Sequence, residues 1–486
     1  MTSATLPYGR GGGARIRQAC ALVGTAAGAA AASVAVTSSP RLGAFAIGLV
    51  LLVLAPELTL LAVAILIEEE LTAGGHTATS VASPVRVGAS LYQSNFSGFR
   101  LIVVVAVVAA VVAAVRRRPT ISRPPIVVLA GLAAWSCALA LEQGAGFKHA
   151  VTGATPWVLL LCGYVVGACV RERESLRIAA TRLLATALAI KAAIALLVWT
   201  TGATQSIGGV RIVYYDSLTP YLGGAALVAA ATGRDRRPIR IALGLAGAIV
   251  LVTSLRRNVV LALIAGVIVL GSRRTSRRLV VRAVIAFGIT AVLVSAVAPS
   301  LGRDAVKSIE SGFETTAGSG SDSSTIGHLN DLSAGRAIVA SSPISGVGVY
   351  AQSQSGLVVS DSGNLYIHDD YLQTWARYGL PGIAGLLAIL MLCFRRAWRS
   401  FARPPDSALV AVGATLLLAL PVSLVFFPQL SSLTRFDVVV GVLAGVLPPA
   451  ATSSRSAEAH ALPLQNGLAD RLERGPDRRS GVLGAR

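Results

Sequence analysis

Residues 101–118 read LIVVVAVVAAVVAAVRRR: fifteen apolar residues and then Arg116, Arg117 and Arg118. Polar and apolar positions do not alternate, as they would in a membrane β-strand. The run therefore reads as a helix inside a bilayer, where about 20 residues span roughly 30 Å of hydrocarbon. The pattern recurs through most of the 486-residue chain, with apolar runs ended by arginine clusters. Hydrophobic residues make up 54% of the chain and charged residues 14%, against roughly 25% charged in a soluble domain. Mean hydropathy is +0.68. The fold class this predicts is all-α: a polytopic transmembrane helix bundle of about 12–14 helices.

The arginines set the topology. They cluster at Arg116–Arg118 with Arg123, at Arg171 and Arg173 with Arg177, at Arg234, Arg236 and Arg237 with Arg240, at Arg273, Arg274, Arg277 and Arg278, and at Arg395, Arg396 and Arg399 with Arg403. Positive charge stays in short cytoplasmic loops, so an even number of helices must separate neighbouring clusters. Helices at 101–115, 126–141, 157–170, 178–200, 219–232, 241–253, 259–272, 279–299, 378–394, 407–427 and 434–449 satisfy that parity. The segments 142–156, 201–218, 254–258, 300–377 and 428–433 then lie outside. Before residue 100 a helix is expected at 20–37, and the run 42–67 breaks near Pro56. The resulting organisation is a cytoplasmic N-terminus (1–19), transmembrane helices (20–299), a large external loop (300–377), further transmembrane helices (378–449) and a polar cytoplasmic tail (450–486).

The net charge of +20 invites nucleic acid as a partner, but these arginines sit between membrane spans and not on one basic face, so none is expected. Cys20, Cys137, Cys162, Cys169 and Cys393 lie in or beside apolar runs; they read as small buried hydrophobes, not a disulfide framework. No Walker loop or dinucleotide fingerprint is present, and no cofactor or metal is expected. Arginine outnumbers lysine 40 to 3, which points to a GC-rich bacterial genome and to a bacterial cytoplasmic membrane.

Several residues break these rules. Arg256 and Arg257 occupy the tight external turn Thr253–Asn258; they either bind a phosphate at the membrane surface or snorkel to lipid headgroups. The external loop ends in Tyr366-Ile-His368-Asp369-Asp370-Tyr371-Leu-Gln-Thr-Trp375. His368, beside two carboxylates, is a candidate general base or a helix cap. Tyr366, Tyr371 and Trp375 are candidates to stack on sugar rings. Lys191, midway along its span, is a functional charge or half of a buried ion pair. Tyr214 and Asp216, outside on 201–218, are candidates for a sugar groove or an ordinary loop.

Taken together, Ser254-Leu255-Arg256-Arg257, then Arg336, Pro343-Ile-Ser-Gly346-Val-Gly348, His368-Asp369-Asp370-Tyr371-Leu372-Gln373 and Gly379-Leu-Pro-Gly382 resemble the O-antigen ligase and O-antigen polymerase superfamily. There a Ser-Arg turn precedes the large loop by two helices, an arginine and a Pro-x-x-Gly-x-Gly segment lie before a His-Asn-x-Tyr-Leu motif, and Gly-x-x-Gly opens the next helix. Two departures stand out: Asp369 replaces the asparagine, and Leu255 is inserted in the turn. The resemblance implies a metal-independent glycosyltransferase in cell-surface polysaccharide biosynthesis. Its partners would be a polyprenyl-diphosphate-linked glycan donor, a glycan or lipid-linked acceptor, and the bilayer. It implies that Arg256 or Arg257, with Arg336, hold the diphosphate. His368 takes the acceptor proton, Asp369 or Asp370 orients the imidazole, and the loop closes over the site. The alternatives are a flippase for lipid-linked glycans, or another polysaccharide exporter, for which no matched broken helices are visible. A phosphotransferase with a metal on His368, Asp369 and Asp370 lacks a second ligand cluster.

Overall fold

The computed structural model describes residues 48–67 and 101–449, apart from 145, 202–204, 208–209, 214–216, 233–234, 255, 273–276, 298–322, 350–364, 403–404, 427–429 and 431–433, together with 71–73, 76–78, 95–96 and 99–100. The helix expected at 20–37 and the tail from residue 450 lie outside the described residues.

The chain is an all-α polytopic bundle. Its helices are α1 (48–54), α2 (Pro56–Leu66), α3 (Leu101–Arg117), α4 (Arg123–Glu142), α5 (Phe147–Glu172), α6 (Glu174–Thr200), α7 (Leu218–Thr232), α8 (Arg237–Ser254), α9 (Arg257–Gly271), α10 (Arg277–Val297), α11 (Ser323–Ser341), α12 (Asp370–Ser400), α13 (Ala408–Phe426) and α14 (Thr434–Val446). Among the described residues six of these, α4, α5, α6, α8, α12 and α13, are long and apolar enough to cross a membrane. The break near Pro56 falls at Ala55, with proline at the start of a helix, where its missing N–H costs nothing. Three antiparallel hairpins interrupt the helical pattern, pairing 71–73 with 76–78, 95–96 with 99–100, and 205–207 with 210–212. Strands of two or three residues are too short for a period-two signal.

Three boundaries differ from the sequence reading. α5 starts at Phe147, ten residues before 157, because Pro156 lies inside the helix and does not open it. α12 starts at Asp370 and not at 378, so the last residues of the expected loop are helical. α11 lies wholly within that loop. Its apolar residues Ile326, Leu329, Leu332, Ile338 and Val339 keep a helical spacing, but Gly327, Asn330 and Gly335 among them weaken the signal.

Small residues bring the helices together. Gly163 and Gly167 of α5 face Gly441 and Gly445 of α14, two Gly-x-x-x-Gly pairs in register. A Cβ on Gly167 would lie 2.1 Å from the Val442 carbonyl oxygen, and one on Gly445 would lie 2.2 Å from that of Tyr164. Lipid tails are as apolar as leucine, so tight packing of this kind, not hydrophobic burial, holds helices together in a bilayer. Gly223 of α7 and Gly247 of α8 make a second crossing of the same kind.

Polar contacts link the loops into two groups, one at each end of the bundle. At the arginine-rich end, Arg117 pairs with the buried Glu57 at 2.9 Å, Arg171 donates to the carbonyls of Thr120, Gly445 and Leu447, and Arg396 donates to Ala444 while lying 5.1 Å from the Tyr164 ring centroid. Cations here cap helix C-termini. At the opposite end, Arg435 donates to the Ile67 carbonyl and the Thr219 hydroxyl, and the Asp370 carboxylate accepts from the Leu430 amide.

Gly167→Leu should lower the thermal midpoint of the detergent-purified protein sharply, since overpacking typically costs ~1–3 kcal/mol or more. Gly131→Ala, where a Cβ meets nothing within 4 Å, should leave it unchanged or raise it. Parallel melts of the two variants check this.

Candidate functional site

The site is built around a break in α12. Gly379 has φ 65° and ψ −161°, outside any helical conformation. A Cβ there would sit 2.0 Å from the Ile344 carbonyl oxygen, so only glycine fits. Pro381, two residues on, has no N–H to give. The break would orphan several carbonyls and one amide, yet each finds a partner from another segment. The Ala376 carbonyl accepts from the Val347 amide at 2.8 Å, and that of Arg377 from the Gly348 amide at 2.9 Å. The Tyr378 carbonyl accepts from the Trp135 indole at 2.8 Å. The Leu380 amide donates to the carbonyls of Pro343 and Ile344. The Pro-x-x-Gly-x-Gly segment and the Gly-x-x-Gly opening are thus two halves of one joint. Gly346 and Gly348 turn with φ of 74° and 78° to reach it.

Below the joint, the Tyr378 hydroxyl donates to the Gly153 carbonyl and its ring packs edge-on against Trp157. On its other side lies a small separate apolar cluster, in which Leu365, Ile367 and Ala376 meet Ile338, Val339, Val347 and Leu372. This cluster docks α11 onto α12. Gly335 of α11 lies so close that a Cβ would come within 2.7 Å of Leu372.

Docking brings Asp331 of α11 to His368, with a carboxylate oxygen against Nδ1. Asp331 is 3% exposed and His368 27%, so the acid is sealed while part of the ring stays open. Tyr366 packs edge-on against the imidazole, ring centroids 4.9 Å apart. The Ile367 amide between them donates to the Gln373 side chain at 2.7 Å. Asp331 was not among the residues singled out from the sequence.

The neighbouring carboxylates have other occupations. Asp369 caps α12, accepting from the Leu372 amide at 2.7 Å. Burial pushes its carboxyl pKa up, and amides of Leu372 and Tyr371 pull it back. Asp370 is fully buried and accepts from Leu430. The carboxylate found on His368 Nδ1 is that of Asp331, whereas the expectation from the sequence was Asp369 or Asp370.

Of the aromatic residues, Tyr366 lies at the histidine. Tyr371 is tied to α13 through its hydroxyl on the Pro421 carbonyl, and Trp375 to the joint through Pro343. Arg336 is exposed on α11, one residue beyond Gly335. Arg256 precedes α9, with Nε and Nη2 buried. The Thr253 carbonyl, three residues before Arg256, accepts from the Val213 amide, and Arg435 reaches the Thr219 hydroxyl shortly beyond Val213, which sets Arg256 at the Arg435 end of the bundle. The side chain of Arg257, and Tyr214 and Asp216, lie outside the described residues. Lys191 is buried within α6, whose main neighbours are α8 and α2. Near the joint the interior holds more charge than the sequence reading singled out: Arg377, Arg435 and Asp437 are each at most 4% exposed. Charged residues in an otherwise apolar run were the available signal.

Residues 241–387 match the family model described as O-antigen ligase. The chain carries an O-antigen ligase domain. That match agrees with the resemblance of the motifs to the O-antigen ligase and polymerase superfamily. No match is found among curated proteins. The ligase domain runs from α8 into the middle of α12 and contains Arg256, Arg257, Asp331, Arg336, Tyr366, His368 and the whole joint apart from Trp135; Lys191, Tyr214 and Asp216 fall before it.

Gly379→Ala and Gly346→Ala should each destabilise the ligase domain by about 1–3 kcal/mol, through left-handed backbone strain and a collision across the joint. Trp135→Phe should cost less, about 1 kcal/mol for one hydrogen bond. Thermal melts of the three variants test that ranking.

Proposed function

We propose that this chain transfers a glycan from a polyprenyl-diphosphate carrier to a hydroxyl of an acceptor glycan, at the end of the bundle away from the arginine clusters, outside the cytoplasmic membrane. The observation that carries the reading is a half-open histidine backed by a sealed carboxylate, inside an O-antigen ligase domain of a multi-pass membrane protein.

In this reading the acceptor hydroxyl oxygen attacks the anomeric carbon of the donor sugar. The bond from that carbon to the phosphate oxygen breaks, and the polyprenyl diphosphate leaves with the electron pair. His368 takes the hydroxyl proton as attack proceeds. Attack opposite the leaving group inverts the anomeric centre. Charge gathers on the departing diphosphate, and arginine forks stabilise it without a metal ion. Arg336, exposed beside the docked face of α11, and Arg256, at the same end of the bundle, are the candidates, with Arg257 beside it. Tyr366, standing on the imidazole, offers an apolar face to a sugar ring.

Purified protein given a labelled glycan on a polyprenyl-diphosphate carrier, with EDTA present, should transfer label to an acceptor glycan. His368→Ala should reduce that transfer by about 10²–10⁴-fold, the usual contribution of a positioned general base, with folding intact by size-exclusion chromatography. Undiminished transfer by His368→Ala would remove the general-base role. Movement of labelled donor across a vesicle bilayer without transfer would favour a flippase.

A further inference from the structure

We infer that Asp331 is the positioning residue of the site: it fixes the His368 proton on Nδ1 and presents Nε2 as the nitrogen that receives the acceptor proton. The inference rests on the transfer reading above and deepens it by assigning the reactive atom and a residue that acts through it.

The geometry supports this in three ways. First, the carboxylate meets Nδ1. An ionised carboxylate is an acceptor only, so a neutral ring facing it carries its proton on Nδ1 and its basic lone pair on Nε2. Second, Asp331 is almost wholly buried whereas His368 is part open. A carboxylate sealed behind an accessible imidazole holds the ring in one orientation and balances the imidazolium that forms on proton uptake, as in other carboxylate–histidine pairs. Third, a dedicated surface supports the contact. Gly335, one turn after Asp331 on α11, packs against Ile367 and Leu372 on either side of the histidine, and Ile338 and Val339 continue that surface. Asp369 and Asp370 meanwhile bond the amides of Leu372 and Leu430.

The proton balance follows. In the ground state Nδ1–H donates to Asp331. During attack the hydroxyl proton passes to Nε2, giving an imidazolium whose Nδ1–H is still held by the carboxylate. The proton then leaves from Nε2 to solvent, and Asp331 is not protonated at any stage.

The test uses the full-length protein in detergent or nanodiscs. Asp331→Asn keeps the size of the side chain but adds an amide donor that can face Nδ1, which favours the wrong tautomer. Its kcat should fall by about 10²–10⁴-fold while KM for the lipid-linked donor changes by less than about threefold, because the donor is held elsewhere. Asp331→Glu should recover part of the loss. Nitrogen-15 spectra of histidine-labelled protein, assigned by comparison with His368→Gln, should show the neutral ring of wild type protonated at Nδ1 and that of Asp331→Asn shifted towards Nε2. A purely structural role would not move that tautomer signal. Wild-type kcat in Asp331→Asn, or a wild-type ring protonated on Nε2, would overturn the assignment even if His368→Ala were inactive. Full activity in His368→Ala would overturn the transfer reading itself and this inference with it.

Discussion

A peptide group inside a bilayer has no water to bond, so every break in a membrane helix must be closed by another part of the protein. The break at Gly379 is the point on which this molecule turns. The carbonyls of Ala376, Arg377 and Tyr378 and the Leu380 amide there bond segment 343–349 and Trp135. The joint holds segment 343–349 against α12 with the orientation its backbone dictates. The two motifs on either side of it are read most simply as complementary surfaces: glycines where the chain must turn left-handed or approach closely, prolines where no amide is needed.

The contact between Asp331 and His368 is built beside that joint. α11 packs on the first turns of α12 through a small apolar cluster of its own, separate from the main core. The cluster is modest, yet it holds Asp331 against His368 across 37 positions of sequence. The arginines divide between the two ends by what surrounds them. At the arginine-rich end they cap helix carbonyls or pair with Glu57. At the other end Arg256 and Arg336 lie within the ligase domain.

The sequence alone determined the class of molecule and the ends of most helices. An uncharged apolar run has one stable solution in hydrocarbon, and arginine marks where it stops, so α3, α4, α6 and α7 could be placed to within a few residues. It also singled out His368, because a histidine among carboxylates at the mouth of a span stands out by chemistry. What it left undetermined was which acid that histidine uses. Asp369 and Asp370 were nearest in sequence, but Asp369 caps α12 and Asp370 accepts from the Leu430 amide. Asp331 sits in a stretch whose apolar period is real but diluted by glycine and asparagine, and α11 gains its order by docking. The close approach of Gly163 and Gly167 to Gly441 and Gly445 is of the same kind: each pair is visible as spacing, but only the packed bundle says which two face each other. Local pattern fixes what a segment can be in a given solvent. Which distant side chain completes a site depends on contacts whose free energy appears only when the segments are already together, and that was decided by the tertiary structure.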